Sequence, residues 1–481
     1  MRNPLLLMPR SFKEQLTYSA GIVLTKLIAI IMLPVFTHYL SPGDYARLDI
    51  LQTLANLLGL VIAFGLADSL FRFAGETSEP IVRSDMAANI FALAVIALVV
   101  GTILMQALAP FITRLLPGDI TLFQTRAILA SLSVTACIAV PLAWLRMQGK
   151  AGMFFIATAC WTLCQAGITA IALFLGYGID GVLVSGLFSA IVLALVLSIY
   201  QYCSTGISFS MSLSLAQARF GGMLVLAGIA SFIIESSGRW MLASEAGVQV
   251  LAEYALAWKV GIMALLFTEP FAMWWLPKRF AVLNEDGKQQ CASTTEIGVV
   301  IALVSVVAIA CAGPFLVTIL SPKEYHNAIQ YIPAFAVLAG IKAVTNLFTT
   351  GILTEKKTLW PIYIDSGTAF VALAGNLIFI PYFQAWGAIF ALTIALIMRL
   401  FLYLYIGQGV NFIPYQLYRM GLLLFITITI PAVACQADSP IVTALLGMLG
   451  GILLLFCAIL FGSIPTDKLV KLWKPTNAPL Q

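Results

Sequence analysis

The amino-acid sequence predicts an all-α polytopic membrane protein with about fourteen transmembrane helices, arranged as two six-helix lobes related by a parallel repeat plus two C-terminal helices. Three observations carry that expectation: the composition, the spacing of apolar runs, and a duplication within the chain. Of 481 residues, 61% are hydrophobic and only 10% are charged, and the mean hydropathy is +0.99. Soluble domains carry about a quarter charged residues, so lipid is the solvent for which this chain is built. The N-terminal "MRNPLLLMPRSFKEQ" has a very short apolar core and no small-residue cleavage site, so it reads as retained, with no cleavable signal.

Apolar runs long enough to cross a bilayer, separated by turn and charge punctuation, place the spans in order. They fall at 16–40, 47–73, 86–113, 122–146, 152–176, 180–203, 220–243, 249–276, 294–320, 328–353, 358–381, 384–407, 418–436 and 440–462. Connections are short, which leaves no sizeable domain outside the lipid. Seventeen Lys and Arg, among them Arg72, Arg83, Arg146, Lys150 and Arg419, fall at the termini or in even-numbered loops, against four in the opposite loops. That asymmetry predicts cytoplasmic termini. The net charge of +5 is scattered over helix ends and forms no continuous basic stripe, which argues against nucleic acid as a partner.

The duplication accounts for the first twelve spans. "LLPGDI", "RMQGKAGMFF" and "GYGIDGVLVSG" recur about 206 residues later as "LSPKEY", "LTEKKTLWPI" and "FQAWGAIFAL". Pro117 matches Pro322, Lys150 matches Lys356, Gly181 matches Gly387, "DYA" at 44–46 matches "EYA" at 253–255, and Arg72 matches Arg279. Six spans per copy is an even number, so both copies enter the membrane from the same side, and two such lobes suit alternating access. The expected divisions are an N-lobe at 1–203, a cytoplasmic linker at 204–219, a C-lobe at 220–407, and spans 13 and 14 with a basic tail at 408–481.

Eight cysteines, mostly within spans, read as small apolar residues. Two histidines and the absence of any metal, cofactor or nucleophile motif leave no catalytic constellation.

The opening spans, "YSAGIVLTKLIAIIMLPVFTHYLSPGDYARLDILQTL" and "GLADSLFRFAGE", with "AEYALAWKV", "LTEKKTLWP" and "NLIFIPYFQAWGAIFALTIA" in the second half, resemble the polysaccharide-transporter family of the MOP exporter superfamily. The likeness covers nearly the whole chain and is nearest the O-antigen repeat-unit (Wzx-type) flippases. It implies a bacterial inner-membrane protein that moves an undecaprenyl-diphosphate-linked oligosaccharide through a cavity lined by spans 1, 2, 7 and 8. It also implies bilayer lipids and a polysaccharide polymerase with its chain-length regulator as partners.

Charges inside spans are costly and therefore informative. Five cations lie there: Lys26, Arg239, Lys259, Lys342 and Arg399. Lys26 and Lys259 each sit about 15 Å in from the end of their span. Lys26, Arg239 and Lys259 fall on spans that border the cavity of the resembled family, and together they are the candidate cations for a diphosphate or acidic sugar. The competing reading pairs Arg239 with Glu235 at i, i+4. Glu235 is the candidate protonatable coupling group, and Asp365 is a second one unless Lys342 on the adjacent span neutralises it. Arg146 and Lys150, with Lys356 and Lys357 in the second copy, are candidates for gathering the diphosphate at the cytoplasmic mouth, with topology or lipid headgroups as the alternative. Glu253 reads as a helix N-terminal acid, and Glu269–Pro270 within span 8 as a place where a freed backbone or a kink could serve a hinge. Two other classes stay open: a cation-coupled drug or metabolite antiporter of the same superfamily, and a membrane-embedded polymerase, against which the short loops count.

Overall fold

The computed structural model describes residues 10–63, 65–75, 77, 79–354, 359–437 and 439–462. Among them the helices are α1 (Arg10–Tyr39), α2 (Pro42–Ala63), α3 (Leu66–Gly75), α4 (Pro80–Leu115), α5 (Leu122–Met147), α6 (Ala151–Phe174), α7 (Gly178–Thr205) and α8 (Met211–Glu245). They continue as α9 (Gly247–Gly261), α10 (Ala264–Trp275), α11 (Arg279–Glu285), α12 (Lys288–Leu320), α13 (Ile332–Phe348), α14 (Trp360–Val410), α15 (Leu417–Ala434) and α16 (Pro440–Leu460). A 3-10 stretch, Lys323–Tyr331, leads into α13.

Each of the fourteen expected spans has helix at its position. Counted by length and apolarity, ten helical stretches among the described residues can cross a membrane, or eleven with the bent pair α9–α10. The lower count has a physical origin in α14, where spans 11 and 12 run together without a gap in helical assignment. The backbone at Gln384 leaves helical geometry there, with φ 51° and ψ −124°. A Cβ on Gly387 would overlap the backbone of Phe379, and one on Gly375 would press on Ala391. The halves of α14 therefore lie side by side as a hairpin. The first span is represented by α1, whose apolar part is the shorter Leu24–Tyr39, and the seventh by α8.

Helix ends follow local chemistry. Thr121 and Gln124 form a reciprocal capping box that starts α5. Gly149, with φ +67°, ends that helix while Lys150 N–H donates to Leu145 O, a left-handed cap that only a residue without Cβ takes easily. Proline stands in the first turn of α4, α13, α14 and α16, where its missing N–H costs nothing.

The chain divides into two compact units, 1–252 and 253–481. In the first, α4 packs on α5, α5 on α7 and α1 on α6, around a core that includes Leu70, Phe91, Cys137, Val140, Trp144 and Leu197. Helix α8, which falls in the second copy of the sequence repeat, packs here against α2, α3 and α4. In the second unit α12 is central, with α10, α13, α15 and α16 around it and Trp275, Val299, Leu303, Cys311, Phe348 and Leu454 in the core. Gly447 of α16 sits against Cys311. Small residues of this kind let helices approach closely where lipid offers no hydrophobic driving force.

The repeat reappears in element order. In both halves the second span is interrupted, by Gly65 with φ +59° ahead of α3 and at 262–263 between α9 and α10. Tyr45 and Tyr254, the matched tyrosines of "DYA" and "EYA", are both buried, at 1% and 3% exposure. Gly181 and Gly387 both stand where a Cβ would strike the partner arm of a helical hairpin, at Ala172 and at Phe379.

Candidate functional site

In the first unit the charged site is built on α2 and α8. Arg239 Nη1 donates to both carboxylate oxygens of Asp49, and the two residues are only 7% and 2% exposed. One position further along each helix, Trp240 Nε1 donates to Ile50 O at 3.4 Å. Trp240 also packs on the cluster around Leu54, Ala109 and Leu129. The N-terminal end of α2 is tied down separately, since Arg47 donates to Gly118 O at 2.7 Å and to Asp44 Oδ1 at 3.0 Å. Asp49 thus projects from a helix fixed at its end, and its charge and that of Arg239 neutralise each other away from water. Breaking such a pair strands a buried charge.

Sequence reasoning passed over Asp49 and weighed Glu235 as the partner of Arg239. The signal was present. Arg239 lies six residues before the end of α8 and Asp49 seven residues after the start of α2, which is about 9–10 Å of helix in each case. Depth matching between spans that end at one face selects this acid. Glu235 is partly buried on α8, one turn before Arg239.

Lys26 is partly buried on α1 in the first unit. Lys259 is partly buried in the last turn of α9 in the second. Its surroundings correct one expectation: span 8 bends by 42° between Gly261 and Ala264, upstream of Glu269–Pro270, and Pro270 lies inside α10. Phe335 presses on Gly261, where a Cβ would overlap it. Lys259 consequently lies in the last turn before that bend. Glu253 is corrected as well. It lies in the second turn of α9, 6% exposed, and accepts from Asn327 Nδ2 at 3.1 Å.

In the second unit Asp365 is held by a residue from the other arm of the α14 hairpin. Arg399 Nε donates to Asp365 Oδ1 at 2.8 Å, and the Tyr403 hydroxyl donates to the same oxygen at 3.3 Å. The guanidinium also lies 5.4 Å from the Tyr403 ring centre. Near the end of the bent span, Arg279 is 7% exposed and donates to Thr349 Oγ1 at 2.8 Å. Burial pushes its guanidinium below the ordinary range, against the opposing pull of Tyr415 and Cys291. Its repeat mate Arg72 is exposed and lies 4.5 Å from the Phe220 ring centre.

The structure places the two described mouth candidates at the α5–α6 turn. Arg146 is exposed, its guanidinium 5.1 Å from the Phe71 ring centre. Lys150 Nζ donates to the Tyr200 hydroxyl at 2.8 Å. Lys356 and Lys357 lie outside the described residues. Among the described residues no group of three or more His, Cys, Asp or Glu is placed to hold a metal ion.

The profile of the family "polysaccharide biosynthesis protein" matches residues 11–281. A search of curated proteins finds no match. Among solved structures, lipid II flippase MurJ in an inward closed conformation is similar at TM-score 0.71 and 12% identity, covering 92% of this chain and 98% of that one. An outward-facing multidrug resistance MATE transporter of the MOP superfamily is similar at TM-score 0.59 and 15% identity, over 83% and 94% of the two chains. A MOP superfamily transporter from Pyrococcus furiosus, described by the reverse polarity of its binding pocket, gives 0.57 and 16%, over 82% and 95%. The fold is thus that of the MOP superfamily of membrane transporters.

Proposed function

Because the chain belongs to the polysaccharide biosynthesis protein family, we propose that it is a flippase that carries an undecaprenyl-diphosphate-linked oligosaccharide repeat unit, of the O-antigen kind, across the bacterial inner membrane by alternating access. The observation that carries the reading is the family match over residues 11–281, which covers every helix bearing Lys26, Asp49, Glu235, Arg239 and Lys259. A carrier for a diphosphate needs fixed positive charge at membrane depth.

In this reading Lys26 and Lys259 meet the diphosphate, and Arg239 is shared. Asp49 holds Arg239 in the state described here, and the substrate competes for it when the pair opens. Glu235, one turn away, is the group whose protonation biases that opening. A ligand shifts such an equilibrium only by its difference in affinity for the two states, and an ion pair that the diphosphate replaces supplies such a difference. Both termini are placed in the cytoplasm, from the distribution of Lys and Arg.

The test is a deletion strain. Lipid-linked oligosaccharide should accumulate on the cytoplasmic leaflet while surface polysaccharide falls, and the intact gene should reverse both. The likeness to a multidrug transporter favours a second reading, a cation-coupled antiporter. Normal lipid-linked pools with altered export of small organic cations would select it.

A further inference from the structure

Within the first unit a groove of about 610 Å³ runs between α5, α6 and α7, walled by Met153, Ile156, Cys160, Val192, Val196 and, at one end, Tyr200. No carboxylate lines it. From Met153 to Cys164 it follows twelve residues of α6, a rise of about 16 Å. One leaflet is half of a hydrocarbon core of about 30 Å, so the groove has the depth of a single leaflet and begins at the α5–α6 turn.

Its end is polar and cationic. Lys150 Nζ donates to the Tyr200 hydroxyl at 2.8 Å and lies 5.3 Å from that ring's centre. The hydroxyl donates to Gln148 Oε1 at 2.7 Å, and Gln148 Nε2 and Trp144 Nε1 both donate to Ser204 Oγ, at 3.2 and 3.0 Å. No side chain caps α6, whose first residue follows Lys150, so its first-turn N–H groups and positive dipole end face the same place. An exposed lysine, a phenol and free amides above an apolar channel one leaflet deep complement one kind of molecule.

We propose that this groove is a binding site for an anionic phospholipid, one acyl chain lying along α6 and the phosphate held at Lys150 and the start of α6. Charge complementarity selects an anionic headgroup over a zwitterionic one. The length of the groove selects an acyl chain over a polyprenyl chain, which is several times longer. The site stands apart from Lys26, Arg239 and Lys259, it gives Lys150 to a lipid headgroup in place of the mouth role considered from the sequence, and its test does not depend on what is transported.

Native mass spectrometry of the intact protein, titrated in detergent with phosphatidylglycerol or with phosphatidylcholine bearing the same chains, reads the site directly. One phosphatidylglycerol should bind about fivefold more tightly than phosphatidylcholine, the preference that one lysine near a membrane surface confers. Lys150→Glu should remove the preference, Tyr200→Phe should reduce it, and Val196→Trp, which fills the groove from an exposed position, should lower binding of both lipids. Unchanged gel-filtration profiles and melting curves identify folded variants. Equal retention of both lipids by the wild type, or a preference that survives in Lys150→Glu, would overturn the proposal. Tighter binding of undecaprenyl phosphate than of phosphatidylglycerol, with the same sensitivity to Val196→Trp, would also overturn it, by giving the groove to the carrier lipid.

Discussion

Arg239 of α8 and Asp49 of α2, separated by 190 residues of sequence, form an ion pair through Nη1 in which both side chains are almost fully dehydrated. The two helices come from different copies of the sequence repeat, and this pair joins them inside the first unit. A contact of this kind is costly to break from one side only, because the remaining charge has no water. In the proposed function it is the element that the diphosphate opens by taking Asp49's place at Arg239.

Single substitutions Arg239→Ala and Asp49→Ala should each lower stability by about 3–5 kcal/mol, and the double substitution should lower it less than their sum. Thermal unfolding in detergent of the four proteins measures this. Additive losses would show that the two side chains are not coupled.

Lys26→Ala and Lys259→Ala should leave the fold intact, since both side chains are only partly buried, and should reduce surface polysaccharide at least about tenfold at equal expression, the loss of one charge-assisted contact to a phosphate. Complementation of a null strain, with protein amount checked on membranes, measures it. Full restoration by both variants would remove these lysines from the transport path.

Glu235→Gln should yield a carrier whose rate no longer varies with pH, because the substitution fixes the neutral form. Asp365→Asn should behave differently. It weakens the 2.8 Å contact with Arg399 and should lower stability by about 1.5–3 kcal/mol, the worth of a hydrogen bond to a charged group. Transport in vesicles at several external pH values, set beside melting curves, separates the two roles.

Gly447→Leu should loosen α16 from α12, because a Cβ at this position already meets Cys311. Overpacking of this type costs about 1–3 kcal/mol. Cys311→Gly in the same chain removes the Cβ that lies nearest Gly447 and should recover part of the loss, which a melting curve would show.

The positions of the spans were legible because a bilayer demands a long apolar run, and the chain supplies one at each expected place. The break in span 8 was not. Gly261, Ile262 and Met263 are as apolar as their neighbours, and the bend arises where Phe335, from a distant helix, presses on Gly261. Proline drew attention to Glu269–Pro270 instead, where α10 runs on through Pro270. The intramembrane charges were legible as residues but not as partners. Local spacing joined Arg239 to Glu235, and tertiary packing adds Asp49 as its partner; adjacency suggested Lys342 for Asp365, and tertiary packing supplies Arg399. The second of these follows from the hairpin at Gln384, which sets Arg399 beside Asp365 across 34 residues. Gly181 and Gly387, matched by the repeat, are explained by the close approach of the hairpin arms that each permits.

Purified protein reconstituted into vesicles tests the proposed movement of a lipid-linked oligosaccharide without the cell's other enzymes. An undecaprenyl-diphosphate-linked oligosaccharide placed in one leaflet would be followed by its exposure to a glycosidase added outside. Exposure should depend on the protein and be slowed by Lys26→Ala and Lys259→Ala. Exposure no faster than in protein-free vesicles, from protein whose melting curve shows it folded, would contradict it.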